Sequence, residues 1–147
     1  MKDFARNIAI LPMFGPGPLL TATPAAVTID RVGNAKGSFE SVTFSLDVGI
    51  GTTAFSATNR VDFNLQDSDD NVTFANVTDA GLVNVSGTTG GNILSVIAVP
   101  AAETITKVGY VGNKRYLKLQ PVFGGTHAGT ALNVQAILGS PWIAPVT

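Results

Sequence analysis

The chain has 147 residues, a net charge of −1, 45% hydrophobic and only 13% charged residues, and no cysteine. That length suits one domain with a core of its own, and the near-zero charge offers no global attraction to nucleic acid or an anionic membrane. The lack of cysteine excludes disulfides, thiolate metal sites and a cysteine nucleophile, and a charged share well below the usual ~25% leaves Thr, Ser, Asn and Gly to cover the surface.

Residues 1–26 stand apart from the rest. Pro12, Pro16, Pro18 and Pro24 disfavour helix and sheet interiors, and Gly15 and Gly17 loosen the backbone. Phe4, Ile8, Ile10, Leu11, Met13, Phe14, Leu19 and Leu20 are nevertheless too apolar for a solvated tail. An extended arm is expected, lying either on its own domain or on a neighbouring subunit. Its apolar run Ile8–Leu11 is shorter than the ~7–15 residues of a secretion signal. No stretch approaches the ~20 apolar residues of a membrane span.

From Val27 onward the hydrophobic period is two, the mark of strands with one buried face. Val42, Phe44, Leu46 and Val48 alternate with Thr43, Ser45 and Asp47, and Val61, Phe63 and Leu65 alternate with Asp62, Asn64 and Gln66. Val72, Phe74 and Val77 continue after an acidic turn, with a phase change that a bulge would absorb. Ile93–Val99 is a continuous apolar run and predicts a core strand. Ile105–Val111 and Arg115–Val122 flank Gly112-Asn113, which predicts a tight hairpin turn because both residues tolerate positive φ. Ala131–Leu138 is the last predicted strand. No twelve-residue segment shows a 3.6-residue apolar stripe with caps, so the expected fold is all-β. It is an antiparallel β-sandwich, jelly-roll or immunoglobulin-like, over residues 27–147, with an extended N-terminal arm over residues 1–26.

Groups able to do chemistry are few. Asp67, Asp69, Asp70 and Asn71 form the one carboxylate cluster. A helix-loop-helix calcium loop beginning at Asp67 would need Gly and Glu where Val72 and Thr78 stand, and Asp and Asn side chains readily cap a turn. His127 is the sole histidine, set between glycine-rich flanks with no nucleophile-elbow motif. No catalytic residue, metal site or cofactor is expected. Tyr110 and Tyr116 near bases offer a single-strand stacking reading, against which strand residues are the simpler one.

Charge is unevenly distributed. Glu40 to Glu103 contains eight acids and one base, whereas Thr104 onward holds Lys107, Lys114, Arg115 and Lys118 and no acid. The two parts either neutralise each other within the fold or guide docking onto a partner. Trp142, between Pro141 and Pro145, is either a lid on the core or an anchor in a partner's pocket.

Several segments together resemble a known family. They are Met1-Lys-Asp-Phe-Ala-Arg-Asn-Ile8, Val27-Thr-Ile-Asp30, Gly37-Ser-Phe-Glu-Ser-Val-Thr-Phe44 and Gln66-Asp-Ser-Asp-Asp-Asn-Val-Thr-Phe-Ala-Asn-Val77. Tyr110-Val-Gly-Asn-Lys-Arg-Tyr-Leu-Lys-Leu119 and Leu138-Gly-Ser-Pro-Trp-Ile-Ala-Pro145 complete the set. Across nearly its whole length the chain resembles small head-associated structural proteins of tailed bacteriophages, the capsid decoration or cement proteins. Asn71 stands where such turns often have Gly, and Asn tolerates the same left-handed geometry.

The resemblance implies a non-enzymatic virion protein, assembled in the host bacterial cytoplasm, that binds the outside of the head and stabilises the shell. Its partner would be the major capsid protein and, in a homo-oligomer, itself, a trimer by analogy. Neither nucleic acid nor membrane is an expected partner. The candidate partner-binding residues are Phe4, Ile8, Leu11 and Phe14 of the arm, Lys114, Arg115 and Lys118 of the hairpin, and Trp142. Two alternatives are a carbohydrate- or receptor-binding β-module of a tail or fibre, and a head-completion or tail-tube component.

Overall fold

The computed structural model describes residues 7–15, 17–33, 37–49, 51–98 and 105–141. Its strands are β1 (Ile8–Phe14), β2 (Val27–Asp30), β3 (Phe39–Gly49), β4 (Arg60–Ser68) and β5 (Ala75–Asn76). After one 3-10 turn at Asp79–Gly81 come β6 (Leu82–Val83), β7 (Asn92–Val96), β8 (Ile105–Tyr110), β9 (Tyr116–Gly124) and β10 (Ala131–Pro141). The first sheet has the order β1-β10-β3-β8-β6, and the second β2-β9-β4-β5, with β7 also paired to β4. The all-β sandwich is therefore as expected.

The pairs β1–β10, β2–β9, β3–β8 and β4–β7 are antiparallel and nested one inside the next. The chain is one long hairpin, β1 to β4 going out and β7 to β10 coming back. Rolling that hairpin sets β10 on β3 and β9 on β4, which is the strand arrangement of a jelly roll. Residues 75–83, carrying the short β5 and β6, are inserted at its tip.

Alternation fills the space between the sheets. In the first sheet Val42, Phe44, Leu46 and Val48 of β3 point inward beside Leu138, Ala136, Val134 and Leu132 of β10. The small Ala136 opposite Phe44 makes room for the ring. In the second sheet Val61, Phe63 and Leu65 of β4 lie in the same layer as Leu117 and Leu119 of β9, all solvent-free. Each such side chain contributes about 1.5–3 kcal/mol through burial.

Three expectations are corrected. First, the arm is not without strand character: Ile8–Phe14 is β1, an edge strand hydrogen-bonded to β10 from Ile8↔Gly139 to Phe14↔Val134. Pro12 and the register shift beside it sit where an edge tolerates a missing N–H. Ala9 and Met13 are buried, and Leu11 and Phe14 pack against the core, so this part of the arm lies on its own domain. Second, Gly112-Asn113 is no hairpin turn, because β8 and β9 belong to opposite sheets and the chain crosses between them there. Third, Ile93–Val99 is not a core strand throughout. Its first part is β7, at the sheet's edge, and Ile97 is 53% exposed.

Because β1 covers one side of β10, removing residues 2–14 should uncover a sheet edge and lower the urea midpoint substantially. Equilibrium unfolding followed by circular dichroism checks this.

Candidate functional site

The strand registers set most of the polar and terminal features at one end of the sandwich. Ile8 pairs with Gly139 and Val42 with Tyr110, while Asp30 and Ser68 both pair with Tyr116. At this end β4 continues its inward phase, Val61, Phe63, Leu65, with Asp67. From the other sheet, Tyr110 points inward and is 1% exposed. Its hydroxyl donates to Asp67 Oδ2 at 2.7 Å, bridging the two sheets. The same oxygen accepts from Lys114 N–H at 3.3 Å. Burial, then the bond to Asp67, holds the phenol well above its ordinary pKa, so it remains a donor. A side chain at Gly112 would overlap the Tyr110 phenol, which is why the crossover needs glycine there.

Arg31 completes this cluster. It is buried, its Nε donates to Lys114 O at 2.8 Å and its Nη1 to Glu40 O at 2.7 Å. Its guanidinium lies 5.3 Å from the Tyr110 ring centroid. Desolvation disfavours its charge, and Tyr110 and Asp67 oppose that effect. Asp67, Tyr110 and Arg31 form a brace between sheets rather than a reactive group.

The acidic turn is likewise built for shape. Ser68 Oγ accepts from the N–H groups of Asp70 and Asn71, and Asp70 Oδ1 accepts from those of Val72 and Thr73, both at 2.8 Å. Asn71 adopts the left-handed region at φ 61°. The N–H groups of Thr73 and Val72, then the Ser68 hydroxyl, hold Asp70 down at a pKa of about 2. Val72, expected in a strand, instead sits 81% exposed at the turn's tip. The turn closes the β4–β5 hairpin.

The predicted basic residues already have partners. Lys114 pairs with Asp69, and Arg115 grips Asp30 with Nε and Nη2 at 2.9 and 2.7 Å while stacking over Tyr116. Lys118 lies 4.0 Å from the Phe74 ring centroid on the outer face of the second sheet. Of these contacts Lys114–Asp69 joins the base-rich to the acid-rich part of the sequence, at the surface, whereas Asp30 lies before the acid-rich part. Ile8, Leu11 and Phe14 belong to the opposite sheet. Phe4 and Trp142 lie outside the described residues.

His127 is buried at the far end of the sandwich, stacked on Phe123 at 4.3 Å and edge-on to Phe55. Nε2 faces the carbonyls of Gly124 at 2.9 Å and Arg60 at 3.2 Å, so it carries the proton. Nδ1 then accepts from Thr130 Oγ1 at 2.7 Å, which in turn accepts from Thr53 Oγ1 at 3.0 Å. Both ring nitrogens are thereby used in tying loops together. Among the described residues no group of three or more His, Asp or Glu side chains is placed to hold a metal ion.

The two outer faces differ sharply in chemistry. The second sheet's face carries tied charges: Arg115–Asp30, and Arg60–Asp62 with Ser95 donating to Asp62. The first sheet's face presents Thr43, Ser45, Gln135 and Ile137 on its two central strands, with Asp47 and Lys107 as its charges on β3 and β8. A shallow groove of about 510 Å³ crosses it, lined by Ile8, Ser41, Thr43, Ile137 and Gly139 among others. An apolar cleft of about 300 Å³, lined by Leu46, Val48, Leu94 and Val96, opens between the sheets at another edge.

Comparison of the chain with protein-family models, with curated proteins and with solved structures finds no match.

Two measurements test the brace and the turn. Tyr110→Phe leaves the half-buried Asp67 without this donor and should cost about 1 kcal/mol by urea unfolding. For pH, the Asp30 carboxyl is held at about 2 against an ordinary 3.8, first by the Arg115 side chain, with burial opposing and the Gly33 and Val32 N–H groups helping. A carboxylate with a depressed folded pKa stabilises above its unfolded pKa and loses that effect as pH falls through the folded one. The thermal midpoint should therefore be flat above about pH 5 and fall between pH 3.8 and about 2, less steeply in Asp30→Asn.

Proposed function

We propose that this protein is a non-enzymatic structural component of a tailed-phage virion that decorates the outer surface of the head. In this reading the sandwich docks by the end where its termini leave and reinforces the shell through many equivalent contacts. The observation that carries it is the β1–β10 register. Ile8 pairs with Gly139 and Pro141 with Phe39, so the segments bearing Phe4 and Trp142 depart from neighbouring strands at one end. The crossover with Lys114 and Arg115 belongs to that same end, as Val42↔Tyr110 and Asp30↔Tyr116 require. In this reading Phe4 and Trp142 are the aromatic anchors and the polar crossover is the rim, as in the anchor-and-rim organisation of a protein interface. The Asp67–Tyr110 hydrogen bond at this end ties the two sheets together, which lowers the ordering cost of binding there.

Jelly rolls occur in viral shells and in lectins alike, so the fold by itself does not choose between decoration and sugar binding. The sequence resemblance and the grouping of the terminal segments favour decoration.

Occupancy on purified heads tests the reading. Removing residues 2–6, combined with Trp142→Ala, should lower copy number at fixed concentration by about ten-fold or more, a loss of about 1.4 kcal/mol or greater, without moving the unfolding midpoint. Unchanged occupancy would sink the terminal segments' role. Particle imaging should show copies spread over the shell; a few copies confined to one vertex would move the protein to head completion or the tail.

A further inference from the structure

We infer that the outer face of the first sheet is a self-association surface, on which a second copy of this chain packs face to face about a twofold axis. The inference stands apart from shell docking, which uses the end of the sandwich rather than its face.

Chemistry points to a copy of itself as the occupant. Thr43, Ser45 and Gln135 are partly exposed at the centre of this face, and among the described residues none of them has a hydrogen-bond partner for its side chain. Hydroxyl and amide groups each donate and accept, so such a face is complementary to an identical one. A face whose charges are all of one sign is not, because its copy brings the same sign to the contact. Here the charges are one acid, Asp47, and one base, Lys107, on adjacent strands, so the face brings no net repulsion to its own copy. The second sheet's face shows the contrast: its polar groups are largely engaged with one another, Arg115 with Asp30, Arg60 with Asp62, and Gln66 with Asn76.

Shape and size agree. Gly109 and Gly139 face outward between the central side chains, keeping the surface low enough for a second sheet at about 10 Å. Ile10 at 52% exposure on β1 and Ile105 at 59% on β8 provide apolar contact toward opposite sides. Five strands spaced ~4.8 Å apart, with central strands ~30 Å long, offer roughly 600 Å² per copy. Two copies would bury about 1,200 Å², at the lower bound of a stable specific interface.

Sedimentation velocity on the full chain, from about 1 to 100 μM, tests this where an interface of that size becomes populated. The expected result is a reversible shift from the 15.1 kDa chain to a species of twice that mass. Thr43→Lys and Gln135→Lys, made separately, should each raise the dissociation constant at least ten-fold with an unchanged circular dichroism spectrum. Two variants guard against one failing to fold. Thr28→Lys, on the outer face of the second sheet, should leave association unchanged. A wild-type chain that stays monomeric throughout, a trimer, or equal effects of Thr28→Lys and Thr43→Lys would overturn the proposal. None of these outcomes depends on phage heads, so its failure and that of the shell-docking reading are distinguishable.

Discussion

Asp67 and Tyr110 both occupy inward strand positions, one in each sheet, and their hydrogen bond fixes how the sheets meet at one end of the sandwich. A carboxylate at such a position is costly unless it is paired. Tyr110 satisfies it, burial keeps the phenol protonated, and Arg31 supplies a compensating charge over the ring. The surrounding backbone follows from this arrangement. The crossover from β8 to β9 must pass over the phenol at Gly112, Lys114 N–H binds the same hydroxyl, and Arg31 takes the Lys114 carbonyl. Far from that brace, His127 does comparable work, tying the 124–130 loop to β4 and, through Thr130, to Thr53.

These braces divide the surface into regions with different capacities. The second sheet's face and the acidic turn spend many of their polar groups on internal contacts, so their charges are poor candidates for recognition. The first sheet's face leaves dual donor–acceptor groups half exposed, and the end next to the brace is where β1 begins and β10 ends. With so few charges, long-range fields give this protein little means of selecting a partner. Rigid support beneath a contact surface matters in the same sense, since loops that must order on binding lose affinity.

Much of the fold was legible in the residues. The alternation in Val42–Val48 and Arg60–Gln66 identified β3 and β4 almost to their ends. The signal for the brace was also present: Asp67 is in phase with Val61, Phe63 and Leu65, and so belongs to the core face rather than to the turn alone. Its partner could not be read the same way, because Tyr110 is 43 residues distant and in the other sheet. The Gly112-Asn113 expectation failed for a related reason. Positive-φ tolerance is common to hairpins and crossovers, and local residues do not say to which sheet the next strand returns. β1 was missed because Pro12 and the short apolar run resemble an arm, whereas an edge strand tolerates proline once β10 supplies the pairing.

By itself the sequence determined the class, because period-two hydrophobicity can bury only one face of a strand and so demands a second layer. It also pointed to the acidic turn as a structural cap, and in the fold Ser68 and Asp70 accept the backbone N–H groups of residues 70 to 73. Tertiary structure alone decided the nesting of strands into a jelly roll, the burial of His127, and the pairing of Lys114 with Asp69 and Arg115 with Asp30. Those outcomes depend on contacts between residues far apart in the chain, whose closure is set by the whole folded core and not by local preference.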